Sequence, residues 1–273
     1  MKKETRLSII TFLISLLLCG GALEIFLRFD PLGVLAYREW LNFTYTDSRP
    51  DPTGYSFVAG TYIIDGKLVT IDERGNRATP TVNSPDCTIA IVGDSVTFGI
   101  GVSDDATYPY LLSNVFPQIQ FINTGKPGYD STNLSRVVED TPADAYIYLI
   151  VSNDITAPRE HINAVPVSFS AITTHIRYFQ AIGQEAEPEP TLYSESLDII
   201  TRENVMMFSA GEHISHEHAE VYLGTTIEVI PRETRVSPAD GHPNELGHQA
   251  IANVIAPYVA TLPTNNCLFT TAN

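Results

Sequence analysis

Two short stretches of this 273-residue chain set reactive side chains at spacings that suit acyl transfer chemistry. In Gly93-Asp-Ser-Val-Thr-Phe-Gly99 a serine stands in a turn bracketed by glycines, and in Asp240-Gly-His-Pro-Asn244 a carboxylate and an imidazole are one residue apart. A serine hydroxyl is a weak nucleophile until an adjacent imidazole removes its proton, and His242 is the candidate base for Ser95. A carboxylate on the other ring nitrogen fixes the tautomer and stabilises the imidazolium as it forms, the work that falls to Asp240. Each residue also has an ordinary structural use: Ser95 as a helix N-cap, Asp240 and Gly241 as a turn ahead of a helix.

For these groups to meet, the chain between them has to build a scaffold. From Cys87 a continuous apolar run, Thr88 to Val92, ends at Gly93, as a strand buried on both faces does. Similar runs follow at 119–123, 145–151, 205–209 and 226–230, so five strands are expected. Between them, 108–115, 132–139, 169–182 and 245–262 carry apolar residues at three- and four-residue spacing, which predicts helices. Alternating strands and helices imply an α/β domain with a parallel sheet, whose ligands bind beyond the carboxyl ends of the strands. Ser95 and its turn stand at such an end. Residues 28–80, with scattered aromatics, prolines and glycines and short alternating runs at 61–64 and 68–71, read as an extended or hairpin-bearing lead-in.

The serine block does not fit the Gly-x-Ser-x-Gly elbow, because residue 97 is Thr and the second glycine comes two positions later. It closely resembles the first block of the SGNH hydrolases, also called GDSL esterases, and the resemblance runs over residues 88 to 256. It implies a flavodoxin-like three-layer fold on a five-stranded parallel sheet, a triad of Ser95, His242 and Asp240, and no metal or other cofactor. By the same resemblance the oxyanion is held by the N–H groups of Ser95 and Gly128, the latter in Asn123-Thr-Gly-Lys-Pro-Gly128 with Gly125 as fallback. A third donor is the side chain of Asn153 in Val151-Ser-Asn-Asp154, where the family's glycine is replaced by Val151. The single residue between Asp240 and His242, and the Gly247-His248 pair that follows, resemble a variant seen in membrane-anchored members. The implied activity is cleavage of carboxylic esters through an acyl-serine. Acyl transfer to a sugar hydroxyl and a catalytically silent envelope binding protein of the same fold are the alternatives.

The remainder of the sequence bears on location and partners. Lys2, Lys3 and Arg6 precede an uncharged run from Leu7 to Leu23, the pattern of a membrane anchor or of a cleaved signal peptide. Positive charges before it place residues beyond 30 outside the cytoplasm. The expected organisation is a membrane segment at 1–27, a lead-in at 28–86 and a catalytic domain at 87–273. An acetylated envelope polysaccharide or a lipid ester suits an enzyme tethered there. With 16 Lys+Arg against 32 Asp+Glu and a net charge of -16, nucleic acid is excluded as a partner. Cys87 and Cys267 both fall at the bottom of the sheet, so a bridge between them and a pair of free thiols are both open. The cluster Glu212-His-Ile-Ser-His-Glu-His218 reads as a solvated helix, because His218 would point away from His216 on a helix and no metal site closes.

Overall fold

The computed structural model describes residues 3–129, 131–151, 170–182, 204–210, 226–227, 234–262 and 267. Its first element, α1 (Lys3–Arg28), includes a 24-residue stretch, Thr5–Arg28, that is long and apolar enough to cross a membrane and has no fully buried residue in its most apolar part. At ~1.5 Å per residue that stretch reaches about 36 Å, more than a hydrocarbon core of about 30 Å.

The lead-in bears hairpins, as one of its two expected forms had it, and adds a helix that was not expected. It begins with a helix, α2 (Val34–Thr46), followed by two antiparallel hairpins, β1 (Ser48–Asp51) with β2 (Gly54–Phe57) and β3 (Gly60–Ile64) with β4 (Lys67–Ile71). The second hairpin is the one that the runs at 61–64 and 68–71 foretold. The helix was hidden because it is buried on two sides: Arg38 faces a later helix through Thr174, while Trp40 and Phe43 enter a core with Phe57, Ile64, Val69, Ile71, Phe98 and Ile100. A helix held between two partners splits its apolar stripe, and a single-face periodicity is lost.

The main sheet is parallel. β5 (Cys87–Gly93), β6 (Ile119–Asn123), β7 (Ala145–Val151) and β8 (Val205–Ala210) are full strands, and β9 (Thr226–Ile227) pairs over two residues with the end of β8. The sheet thus has a four-strand body where five full strands were expected; β9 meets only Ser209 and Ala210, and 228–230 lie outside the described residues. Strand order is β6-β5-β7-β8-β9. Because β6 and β7 flank β5 on opposite sides, the connections leaving β5 and β6 diverge at the carboxyl end of β5, where α/β sheets form their crevices.

Helices cover both faces. α4 (Tyr108–Val115) and α7 (Glu245–Val259) bury Tyr108, Leu112, Ile251 and Ile255 against Ile89, Ile91, Phe121, Ile147 and Leu149. On the other face α5 (Ser131–Asp140) sets Val137 and Val138 against Ala90, Val92, Tyr146 and Tyr148. Alternate residues of each strand thus serve opposite layers, which is why β5 and β7 read as unbroken apolar runs. Cys87, at the start of β5, is joined to Cys267 with a Cα separation of 6.1 Å, closing the choice that the sequence left open.

One buried charge fastens the lead-in to this sheet. Arg77 pairs through its backbone with Ile71 of β4 and Asn123 of β6, hooking the hairpin to the sheet edge. Its fully buried guanidinium donates from Nε to Asp104 Oδ1 at 2.8 Å, from Nη1 to the carbonyls of Phe98 and Gly99 at 3.1 and 2.7 Å, and from Nη2 to those of Leu68 and Val102 at 3.3 and 2.7 Å. Burial alone pushes its pKa down, and Asp104 opposes this. Asp104 also accepts from Thr70 N, so both members of the pair are saturated.

Two stability predictions follow from these bonds. Arg77→Met strands a buried carboxylate and four carbonyls, and urea unfolding should show a loss of about 3–5 kcal/mol. Replacing Cys87 and Cys267 together by Ala frees a closed loop with a sequence separation of 180 and should lower stability by about 2–4 kcal/mol, read from thermal melts with the oxidised native protein as reference.

Candidate active site

The short helix α3 (Ser95–Phe98) starts where β5 ends. Asp94 caps it, its Oδ1 accepting from Val96 N at 2.9 Å, and this turn presents Ser95 above the carboxyl end of the sheet. The turn is possible because residue 93 is glycine: a Cβ there would lie 2.2 Å from Thr97 Oγ1 and 3.1 Å from the Leu149 carbonyl. Behind it, Thr97 Oγ1 is hydrogen-bonded to the Tyr108 hydroxyl of α4 at 2.8 Å.

Across from Ser95 lies the loop ahead of α7. Asn244 caps that helix, accepting from Leu246 N and Gly247 N, and Val236 N donates to the His242 carbonyl at 2.9 Å. The loop is then held from outside. Ala239 N donates to the Leu32 carbonyl at 3.0 Å, and the Tyr178 hydroxyl of α6 (Ala171–Ile182) donates to the Ala239 carbonyl at 2.5 Å. Gly33, at φ 76°, fits against Ser237 where a Cβ would come within 2.2 Å of its Oγ.

These constraints bring together three residues that lie 147 and 2 positions apart in the chain. Ser95 Oγ is 2.8 Å from His242 Nε2, and His242 Nδ1 is 2.5 Å from Asp240 Oδ1, which also accepts from His242 N at 3.0 Å. A carboxylate only accepts, so Nδ1 carries the proton and the neutral ring offers Nε2 to the serine hydroxyl. Asp240 is fully buried and the His242 ring is 17% exposed. That arrangement fits a serine whose proton has a base waiting and a base whose orientation is fixed.

A fourth group, which the sequence did not single out, also touches the serine. Asp94 Oδ2 lies 3.1 Å from Ser95 Oγ. When His242 is neutral, the single hydroxyl proton goes to the nearer acceptor, Nε2. When the ring is protonated, Nε2–H donates to Oγ and the hydroxyl turns to Asp94, so both protonation states are satisfied. Burial pulls the His242 pKa down, but the hydrogen bond and charge of Asp240, with the charge of Asp94, overcome it and leave the pKa raised. Two aromatic rings complete the surroundings: Tyr37 of α2 lies 6.1 Å from the His242 ring and packs edge-on against Tyr178. Asp94 was in plain view beside the serine; Tyr37 had no signal, being 205 positions from His242.

The proposed oxyanion donors are placed in part. Asn123, fully buried, donates to the Thr97 carbonyl at 2.9 Å and accepts from Gly125 N at 3.1 Å, so it ties the loop after β6 to α3 and engages the Gly125 N–H itself. Gly125 cannot carry a side chain, since a Cβ would lie 2.4 Å from Phe98 N. Gly128, exposed and at φ 79°, has open space in front of it, and among the described residues no group takes its N–H or that of Ser95. Asn153 and Asp154 lie outside the described residues, as do His213, His216 and His218. His248 is fully buried in α7, accepts from Tyr108 N at 3.3 Å and stacks on that ring, a packing role with no link to Ser95. Burial, with the charges of Arg77 and His242, drives its pKa down to about 3.

His242 and His248 should therefore titrate in opposite senses, which NMR of the ring protons can check. His242 should titrate above 6.5, so its stabilising contribution is complete below that pH and is lost as pH rises through the folded value. His248 should stay neutral until near pH 3, so its contribution is present above 6.5 and is lost as pH falls. In Asp240→Asn the His242 midpoint should move down and that of His248 should not; an unmoved His242 would show that Asp240 does not set its charge.

No family model matches this chain, and no curated protein matches it. Among solved structures it is similar to a lipase/acylhydrolase from Enterococcus faecalis, at 14% identity over 68% of this chain and 99% of that one, with a TM-score of 0.41. A member of the lipolytic protein G-D-S-L family from Veillonella parvula is similar at 15% identity over 64% and 99%, with a TM-score of 0.39. A carbohydrate acetylesterase family member from Sinorhizobium meliloti is similar at 16% identity over 62% and 95%, with a TM-score of 0.34.

Proposed function

We propose that this chain is a serine hydrolase of the SGNH kind that cleaves carboxylic esters outside the cytoplasm while α1 holds it in a membrane. The observation that carries the reading is the hydrogen-bonded chain from Ser95 Oγ through the His242 ring to Asp240, set at the carboxyl end of β5. Its chemistry runs in two halves. His242 Nε2 takes the hydroxyl proton as Ser95 Oγ bonds to the ester carbonyl carbon, and the charge that develops on oxygen is received by the N–H groups of Ser95 and Gly128 and by the Asn153 amide. The imidazolium then gives its proton to the departing alkoxide as the ester bond breaks, leaving an acyl-serine. Water repeats the sequence on that acyl group, losing its proton to His242 and freeing Ser95 with a carboxylic acid.

Substrate class follows from location. A catalytic body fixed at the outer side of a membrane meets acetylated envelope polysaccharide and lipid esters, and a sugar hydroxyl in place of water would turn the same acyl-enzyme to acyl transfer. The anchor reading is supported by the uncharged run from Leu7 to Leu23, which is longer than the roughly 7–15-residue apolar core of a signal peptide.

A fluorophosphonate probe tests the activated serine. The native protein should be labelled, and both Ser95→Ala and His242→Ala should abolish labelling. Asp240→Asn should slow it by roughly 10⁴-fold, because the ring is then held in the wrong tautomer. A folded native protein that resists the probe would point to a silent binding protein of the same fold.

A further inference from the structure

α6 has two unlike sides. Its inner side faces the protein: Thr174 accepts from Arg38 Nη1 at 2.9 Å, His175 packs beside Asp30, and Tyr178 reaches the loop that bears His242. Its outer side carries Ile172, Ile176 and Phe179 at the spacing of one helical face. A helix on an aqueous surface turns polar residues outward, yet Ile176 is 52% exposed and Phe179 55%.

These residues do not stand alone. With Leu23 and Leu27 of α1 and Leu32 beyond it, they line a groove of about 570 Å³. The two polar liners, His175 and Gln180, leave the lining almost wholly apolar, and His175 Nδ1 is occupied by the Ala171 carbonyl at 2.9 Å. Phe29, 82% exposed, follows directly on the last turn of α1. Glu24 fixes the angle between the two helices, accepting from Ser170 Oγ, Ala171 N and Ile172 N at 2.8, 2.8 and 3.1 Å and so capping α6.

We infer that this groove and the outer face of α6 are a second membrane contact, which takes up acyl chains of the outer leaflet. The inference rests on the anchor reading of α1. One wall of the groove is the apolar stretch itself, so a bilayer placed on Thr5–Arg28 brings its outer headgroup-acyl boundary to the groove mouth. The contact is continuous with the membrane-facing surface of α1. Charge agrees with it: Arg28, ion-paired with Glu24 at 2.9 Å, stands at the end of the span and the exposed Arg177 flanks Ile176, which puts positive charge at the level of the lipid phosphates. The same helix holds Ala239 through Tyr178, so seating α6 on the bilayer sets the height and tilt of Ser95 above it.

A tryptophan reporter tests this on the full chain, whose one native tryptophan, Trp40, is buried. Phe179→Trp and, as a control on the far side of the domain, Val115→Trp are reconstituted into phosphatidylcholine/phosphatidylglycerol vesicles carrying lipids spin-labelled near the carbonyl. The added emission of Phe179→Trp should be largely lost to quenching and that of Val115→Trp kept. A chain that floats with the vesicles but leaves Phe179→Trp unquenched overturns the second contact and spares the anchor. One that does not float overturns both, and phosphonate labelling of Ser95 is unaffected by either result.

Discussion

The architecture depends on the burial of one guanidinium. A charge removed from water is tolerable only when every donor finds a partner, and Arg77 meets that demand with Asp104 and four backbone carbonyls. Those carbonyls belong to separate pieces of chain: β4, the end of α3 and the turn beyond it. Meeting the electrostatic requirement therefore fixes the C-terminal end of α3, whose first residue is Ser95. The face of the guanidinium lies over the Phe98 ring, 5.0 Å from its centroid, so the same group also joins the aromatic core of the lead-in.

The second half of the site is fixed by similar means. The loop bearing Asp240 and His242 is short of regular structure and is held by neighbours that come from elsewhere: Leu32 before α2, Tyr178 of α6 and the capped start of α7. Close approaches that only glycine permits, at Gly33 against Ser237 and at Gly101 against Val236, set its distance from the body. These bonds hold the serine and imidazole at hydrogen-bonding range, the preorganisation that the proposed hydrolase reading requires.

Charge surroundings, not burial, separate the two histidines of this region. His242 sits between the carboxylates of Asp240 and Asp94 and is pushed toward the protonated form; His248, fully buried, faces Arg77 and the other imidazole and is held neutral. A base that is to accept a proton benefits from the first environment, and a packing residue inside a helix from the second. The acidic balance of the whole chain plays no part in that distinction, which is settled within a few ångströms.

Much of this was legible in the chain itself. The β5–α3 turn, the loop before α7 and the parallel strands were evident because each rests on local patterns: an apolar run ending in glycine, a capped helix start, an alternation of strand and helix. Ser95, His242 and Asp240 were picked out because their two blocks resemble a known set of motifs, and residue type supplied the chemistry such a trio could carry. Tertiary structure alone decided the rest. α2 was unreadable because its apolar residues serve two partners; among the described residues β9 pairs over two positions with the end of β8; Arg77 and Tyr37 gained their importance from neighbours far along the chain. Side-chain type and local periodicity are properties of the sequence, whereas the partner that satisfies a buried charge or flanks the His242 ring exists only once distant segments have packed.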